Sequence, residues 1–203
     1  MTHTPYRTQL PSSARFTLLL VRHGQTEANE KGTIQGQGDS PLTRKGRLSS
    51  VVKADKLAAF PISAVYCSDL PRARATLAII QERLPGLPAP AFTKALREID
   101  FGSYTGAVKQ EVMEIINMHK SKTSLKYPGG ESGDDMRARV DSFMDALRRD
   151  NEDNHALVIT HYGVIETMVK LYAGAPAEAR FQLGEQAVVA LGFDGARVSL
   201  QIL

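Results

Sequence analysis

The chain predicts an α/β fold: a three-layer α/β/α sandwich with a mostly parallel sheet, helices on both faces and an antiparallel C-terminal hairpin. Three observations predict it. Short, largely apolar runs at 16–21, 62–67 and 155–160 have the length and β-branched content of strands buried on both faces. Stretches of helical periodicity alternate with these runs, as parallel crossovers require. Two last strand-like stretches, 186–193 and 196–203, flank Asp194-Gly195, a two-residue hairpin signal.

Residues 1–15 are polar, hold two prolines and no acid, and lack the apolar stretch of a secretory signal. Their acid-poor, Arg- and Ser-containing make-up has something of a transit peptide, but a flexible tail is the expectation, followed by a single domain over 16–203. The first strand, Phe16 to Val21, stops at Arg22-His23-Gly24, and a glycine-rich polar loop follows at 32–41. Thr43 caps a helix running to about Phe60, with Leu48, Val51 and Val52 on its buried face and only Asp55 out of place. Pro61 ends it, and 62–67 is the second strand. Ser68 or Asp69 then caps a helix with the stripe Leu70, Ala73, Leu77, Ile80 and Leu84.

After a connector at 85–90, residues 92–96 form a short strand, 98–106 a loop and 108–119 a helix. A second flexible loop, 121–133, leads to Ser132 and Asp135, spaced as a capping box. The following helix buries Met136, Val140, Phe143, Met144 and Leu147. Beyond the strand at 155–160, a helix over 164–172 stops at Gly174. No internal repeat or low-complexity tract occurs.

Composition narrows the function. With 203 residues and 42% apolar content, the chain can bury a substantial core. Its longest apolar runs are about six residues, against the roughly 18 or more that cross a bilayer, so no membrane association is expected. A net charge of +3, dispersed along the chain, is too mild for nucleic acid and suits a small anion. Cys67 is the single cysteine, which fits a reducing compartment, and a cytoplasmic location is expected. The terminal hairpin leaves an edge strand on which a second copy can pair, as in a homodimer.

The groups with chemical potential lie after strands or in loops: Arg22, His23, Arg72, Arg74, Glu98, Asp100, Glu131 and His161. In an open α/β sheet ligands bind just beyond the carboxyl ends of the strands. Arginine forks match the paired oxygens of phosphate, a histidine among cations can attack phosphorus, and a nearby carboxyl can protonate a leaving alcohol. One histidine after a strand is commonly structural, but strand-His-Gly recurs here, at His23-Gly24 and His161-Tyr-Gly163. Positions 72 and 74 differ by about 200° around a helix, so only one faces the site; Arg72, in the first turn, is preferred.

The rival chemistries fit less well. His3, His119 and His155 sit in unrelated contexts without metal-ligand spacing, and neither a metal nor a cofactor is expected. The phosphate loop of cysteine phosphatases reads Cys-x5-Arg, whereas Arg72 and Arg74 follow Cys67 at x4 and x6. Cys67 therefore reads as a small core residue. Nucleotide loops also fail, because Gly36-Gln-Gly38-Asp-Ser-Pro41 puts proline where the third glycine belongs.

With these residues placed, the chain resembles the histidine phosphatase superfamily, in its phosphoglycerate-mutase-like branch. The resemblance is carried by Leu20-Val-Arg-His-Gly-Gln-Thr-Glu-Ala-Asn29, Ile34-Gln-Gly-Gln-Gly-Asp-Ser-Pro-Leu-Thr43 and Ser68-Asp-Leu-Pro-Arg-Ala-Arg-Ala-Thr76, the last favouring Arg72 over Arg74. It continues in Leu96-Arg-Glu98-Ile-Asp-Phe-Gly102, Gly130-Glu131-Ser132 and Thr160-His161-Tyr-Gly163, and spans roughly 16–193.

The resemblance implies that His23 is the nucleophile and becomes phosphohistidine. Arg22, Arg72 and His161 would hold the phosphoryl oxygens, Glu98 would act as general acid, and Asn29 and Gln35 would contact phosphate or substrate. One departure stands out: Thr105 replaces the glutamate of Phe-Gly-x-x-Glu-Gly in many relatives.

The expected activity is hydrolysis of a small phosphorylated metabolite. A phosphoglycerate mutase is the alternative; mutases of this branch resemble longer chains with a larger insertion before the second histidine, and such shielding from water separates transfer from hydrolysis. A silent phospholigand-binding module is a third reading, disfavoured because the nucleophile and acid are both present. Loops 32–41 and 103–133 are expected to choose the substrate. Lys109, Lys120, Lys122 and Lys126 either meet a second anionic group or form a solvated basic helix end.

Overall fold

β1 (Phe16–Arg22) divides its side chains between two apolar clusters, and this division sets the layers. Leu18 and Leu20 point to one face of the sheet, Leu19 and Val21 to the other, following the two-residue period of a strand. The computed structural model describes residues 16–150, 155–174, 182–195 and 197–203. The expected tail at 1–15 lies outside the described residues.

After the four-residue α1 (Glu27–Glu30) come α2 (Arg44–Leu57), β2 (Ile62–Ser68), α3 (Pro71–Arg83) and β3 (Pro90–Thr93). Then follow α4 (Met113–Ser121), α5 (Gly133–Asp150), β4 (His155–Thr160), α6 (Tyr162–Tyr172), β5 (Val188–Asp194) and β6 (Arg197–Ile202). The strands form one sheet in the order β3-β2-β4-β1-β5-β6. The first four are mutually parallel, while β5 and β6 run antiparallel. Helices α2 and α3 pack on one face and α5 and α6 on the other, so the predicted three-layer sandwich is what forms. No helix among the described residues is long and apolar enough to cross a membrane.

Several local expectations need correction. The buried face of α2 is not Leu48, Val51 and Val52. Leu48 is 60% exposed, and the helix instead buries Gly46, Ser49, Ser50, Lys53, Ala54 and Leu57. The cause is a backbone-to-backbone contact: a Cβ on Gly24 would strike the Gly46 carbonyl, and one on Gly46 would strike the Gln25 carbonyl. At that separation only small residues fit. The Ser49 and Ser50 hydroxyls donate back to the Gly46 carbonyl, at 2.9 and 2.7 Å, and so cost little to bury. Thr43 caps α2 as expected, accepting from the Gly46 N–H at 3.0 Å.

Of the expected stripe Leu70, Ala73, Leu77 and Ile80 are buried and Leu84, at the C-cap of α3, only partly, while neither Ser68 nor Asp69 is the N-cap; Leu70 holds that position and Pro71 occupies the first turn. The short strand lies at 90–93, and 94–96 turns into a 3-10 helix. Helix α4 begins at Met113 rather than 108, because 106–109 pair with 32–34 instead: Val108 bridges Thr33, and the Ile34 N–H donates to the Ala107 carbonyl at 2.9 Å. Ser132 and Asp135 do form the capping box of α5, each accepting from the other's backbone N–H at 3.0 Å. Helix α6 starts two residues early, at Tyr162. In the hairpin Asp194 pairs with Arg197, so the turn opens at Gly195 (φ +57°) and not at Asp194.

Candidate active site

The connection from β1 leads to α2 on one face, whereas that from β4 leads to α6 on the other. A crevice therefore opens between the carboxyl ends of β1 and β4, where such sheets bind ligands. Arg22 pairs with Thr160 across these strands, and the His23 N–H donates to the Thr160 carbonyl at 2.9 Å. His23 and His161 thus leave adjacent strands side by side, with ring centroids 5.1 Å apart and planes inclined by 55°.

Between them lies Arg72, projected from the first turn of α3 and only 2% exposed. Its fork is fixed from the far side by two backbone carbonyls, Gly38 at 2.7 Å and Gly36 at 2.6 Å. Its Nε lies 3.3 Å from His23 Nε2, and one terminal nitrogen lies 3.2 Å from His161 Nδ1. Burial pulls Arg72 down to about 10, which leaves it a cation at neutral pH.

These contacts assign the imidazole tautomers. A guanidinium has no acceptor, so His23 Nε2 and His161 Nδ1 must both present lone pairs to it. The proton of His23 then sits on Nδ1, donated to the Gly24 carbonyl at 2.8 Å. That of His161 sits on Nε2, donated to Ser68 Oγ at 2.8 Å. Burial first, and then the neighbouring Arg72 and Arg22, hold His23 well below the ordinary histidine range. Burial, His23 and Arg72 do the same to His161. Two neutral rings therefore share one buried cation.

Arg22 closes another side, with its guanidinium carbon 5.9 Å from the Tyr162 ring centroid. Its Nε is buried without a hydrogen-bond partner among the described residues. Glu98 reaches the crevice from the loop after the 3-10 turn. Its Oε2 accepts from the Gly163 N–H at 3.2 Å and its Oε1 from the Ile99 N–H at 3.0 Å. Gly163 is needed there, because a Cβ would strike Glu98 Oε1.

The loop that carries Glu98 is clamped from behind. Arg139 of α5 binds both oxygens of Glu131, at 3.1 and 2.6 Å, and donates to the carbonyls of Ala95 at 2.8 Å and Glu98 at 3.2 Å. Glu131 in turn accepts from the Asp100 N–H at 3.0 Å.

Of the sequence candidates, Arg22, His23, Arg72, Glu98 and His161 share this crevice, and Glu131 supports it from outside. Arg74 points away, stacked 4.0 Å over Phe92, and Asp100 accepts from the Gly102 N–H at 2.9 Å within its own loop. Asn29 closes a capping box with Thr26, its Oδ1 accepting from the Thr26 N–H at 3.2 Å. Gln35, Gly38 and Thr105 line a cavity beside the crevice, into which the two imidazoles do not reach. The Gln35 Oε1 is buried with no hydrogen-bond partner among the described residues. Lys109, Lys120, Lys122 and Lys126 are exposed, the last paired with Asp135 at 3.0 Å. Cys67 is fully buried and burial pushes its thiol up to about 12, so it offers no thiolate.

Sequence reasoning missed Ser68 as the partner of His161, and it missed Arg139 and Lys53. Lys53 is 1% exposed and donates to the Arg22 carbonyl at 2.8 Å. The stripe Gly46, Ser49, Ser50, Lys53, Ala54, Leu57 has helical spacing, and read as a small-residue face it would have pointed to this lysine.

A family model described as histidine phosphatase superfamily (branch 1) matches residues 18–203. The chain is 30% identical over 172 residues to the probable phosphoglycerate mutase GpmB of Shigella dysenteriae, covering 81% of this chain and 78% of that relative. It is 29% identical over 153 residues to a probable phosphatase of Schizosaccharomyces pombe, covering 74% and 70%. The crystal structure of the alpha-ribazole phosphatase from Shigella flexneri superposes with a TM-score of 0.78 at 25% identity, over 92% of this chain and 95% of that one. The mycobacterial glucosyl-3-phosphoglycerate phosphatase complexed with VO3 gives 0.78 at 25% identity, over 92% and 96%.

Proposed function

We infer the reaction from one premise: the chain belongs to the histidine phosphatase superfamily, branch 1. It is a phosphatase, a hydrolase of phosphoric monoesters, and we propose that His23 carries the transferred group. The observation behind this assignment is the pair of neutral imidazoles whose lone pairs converge on the buried Arg72. A protonated His23 would be no nucleophile, and burial among cations is what keeps Nε2 free to attack.

In this reading the ester's phosphoryl group sits between Arg22, Arg72 and His161, which neutralise its oxygens. His23 Nε2 attacks phosphorus in line; the N–P bond forms as the bond to the ester oxygen breaks, and Glu98 gives that oxygen its proton. Water then attacks phosphorus, gives a proton to Glu98 and releases inorganic phosphate, which returns His23 to the neutral ring. The covalent relay divides one difficult displacement into two.

The substrate is a small phosphorylated metabolite, as the names of the phosphatase relatives suggest, with its non-phosphate part against the loops that carry Gln35 and Thr105. The single cysteine, a core residue, supports the cytoplasm as the compartment, and β6, at the sheet edge, is the strand a homodimer would pair.

Hydrolysis of p-nitrophenyl phosphate and of a panel of sugar phosphates, phosphoglycerates, phosphoamino acids and nucleotides tests the reading. His23→Ala is expected to lose about 10³-fold or more of the rate, on the scale of removing a nucleophile. Activity equal to wild type would sink the assignment. The mutase-named relative supports a second reading, phosphoryl transfer back to a rotated intermediate. Incubation with 3-phosphoglycerate, with and without a bisphosphate primer, separates the two: free phosphate marks hydrolysis, and primer-dependent 2-phosphoglycerate marks the mutase.

A further inference from the structure

We propose that Lys53 is a positioning residue for the nucleophile, and that it stands in for a strand residue where β5 stops short of the site. The proposal rests on the phosphohistidine reading above and concerns how His23 is aimed.

In a strand between two others, the backbone groups of successive residues bond to alternate sides. The His23 N–H bonds to β4, where it reaches the Thr160 carbonyl at 2.9 Å. The Arg22 carbonyl therefore points the other way, toward β5. The register of β1 with β5 ends at Val21 opposite Val188, so Ala187 is the next residue in line to meet that carbonyl. Ala187 gives its N–H to the Gly184 carbonyl instead, at 3.1 Å, and the ladder stops. Lys53 supplies the donor that is then lacking, from α2, with its Nζ 2.8 Å from the Arg22 oxygen. Protonated or not, the amine has an N–H to give.

The contact falls on one particular peptide unit. The Arg22 carbonyl and the His23 N–H belong to the same rigid plane. Thr160 holds one edge of that plane and Lys53 the other. In the next unit the Gly24 N–H donates to Thr76 Oγ1 at 2.9 Å, and Thr76 donates on to the Arg72 carbonyl at 2.8 Å. His23 is thus hung between two pinned planes.

Lys53 is 1% exposed, too deep to touch a substrate, and the Arg22 carbonyl is the one hydrogen-bond partner of its Nζ among the described residues. An apolar chain of the same length would fill the same space, so the position supplies a donor rather than volume. Without that donor the plane is held by its N–H alone and can tilt. Nε2 lies several bonds out from the backbone, where a small tilt is magnified, and a misplacement of about 1 Å costs about 100-fold in rate.

Lys53→Met in the full chain tests this, with Lys56→Met as its control. Lys56 lies one turn further along α2 and donates to the carbonyls of Gln186 at 2.8 Å and Leu203 at 3.0 Å, neither of them in the nucleophile's peptide. Two readouts separate aim from binding. Single-turnover release of p-nitrophenol from p-nitrophenyl phosphate, with enzyme in saturating excess, isolates the attack by His23. Inhibition by inorganic phosphate reports binding alone.

Lys53→Met is expected to slow the single turnover by about 10–100-fold and to keep the inhibition constant within about twofold of wild type. It removes a buried charge, so its urea midpoint is expected to be no lower than that of wild type. Lys53→Arg, which keeps a donor on a long chain, is expected to run faster than Lys53→Met, and Lys56→Met to match wild type. The ¹³C resonance of the Arg22 carbonyl is expected to move in Lys53→Met and to stay in Lys56→Met. An unchanged single-turnover rate, an equal slowing in Lys56→Met, Lys53→Arg as slow as Lys53→Met, or an unmoved Arg22 resonance would each overturn the proposal. So would a loss of phosphate affinity as large as the loss of rate, which would make Lys53 part of the field that attracts the anion. All of these leave the phosphatase reading intact. If His23→Ala turns over like wild type, that reading fails and the proposal falls with it.

Discussion

Replacing Lys53 by methionine tests what a buried ammonium beside Arg22 costs the fold. Lys53 is almost fully enclosed, and its Nζ reaches only as far as the Arg22 carbonyl at 2.8 Å. Burial, with Arg22 adding to it and Glu185 opposing it, pulls the amine from 10.5 to about 7. Between those two values the unfolded chain holds a proton that the folded chain has released, so stability rises with pH through that window. The cost is complete below about pH 7, where it amounts to roughly 4–5 kcal/mol, and it is relieved as the pH climbs toward the unfolded lysine value. About 2 kcal/mol of it is recovered between about pH 7 and pH 9. Methionine has a similar length and no proton to lose. It also gives up a hydrogen bond from a charged donor, worth about 1.5–3 kcal/mol. The expected result is therefore a variant more stable than wild type by roughly 1–3 kcal/mol near pH 7, with an advantage that shrinks by about 2 kcal/mol by pH 9. Urea unfolding of both proteins at three pH values across this range reads the difference directly. Parallel stability curves for the two proteins would mean that Lys53 keeps its proton in the fold, and the reasoning would fail.

Three further outcomes are expected. Glu98→Gln should slow alkyl phosphates by about 10²–10⁴-fold while sparing p-nitrophenyl phosphate, whose leaving group needs little protonation; equal losses on both substrates would remove Glu98 as proton donor. Gly163→Ala puts a methyl group against Glu98 Oε1, the free end of a side chain, and should lower kcat by roughly 10–100-fold. Thermal unfolding of that variant should change by no more than about 1 kcal/mol. Prolonged EDTA treatment should leave the rate unchanged if, as proposed, two arginines and a histidine neutralise the phosphate; a large loss would reveal a metal requirement. Among the described residues, no three His, Cys, Asp or Glu side chains are grouped to hold an ion.

The strands β1 and β4 were legible because both of their faces are apolar, which leaves the alternatives few. Helix α2 was not, since its inner face is chosen by the closeness of two glycine-bearing segments and not by apolarity. Leu48 sits on the outside for that reason. The start of α4 was hidden for a related cause: Val108 has helical neighbours in sequence but pairs with Thr33 across a loop. In the site, His23 and His161 could be read because the ends of strands announce them, and Arg72 because it falls in the first turn of the helix after β2. Ser68 and Arg139 act on His161 and Glu98 through contacts 93 and 41 positions apart in the chain. No local pattern carries such a pairing. The tautomers are further removed still, because they follow from which donor stands opposite which nitrogen.

The position of β4 in the sheet bears on how the enzyme comes into being. β1 and β2 are not paired with each other; β4 is the shared neighbour of both. A ribosome therefore finishes Arg22, His23, Arg72 and Glu98 long before the strand that unites them has been made. Until residues 155–160 slot into place, β1 and β2 each keep an unpaired edge toward β4, and the crevice at their carboxyl ends is not formed. The edges that such a fragment exposes are where premature termination would lead to aggregation.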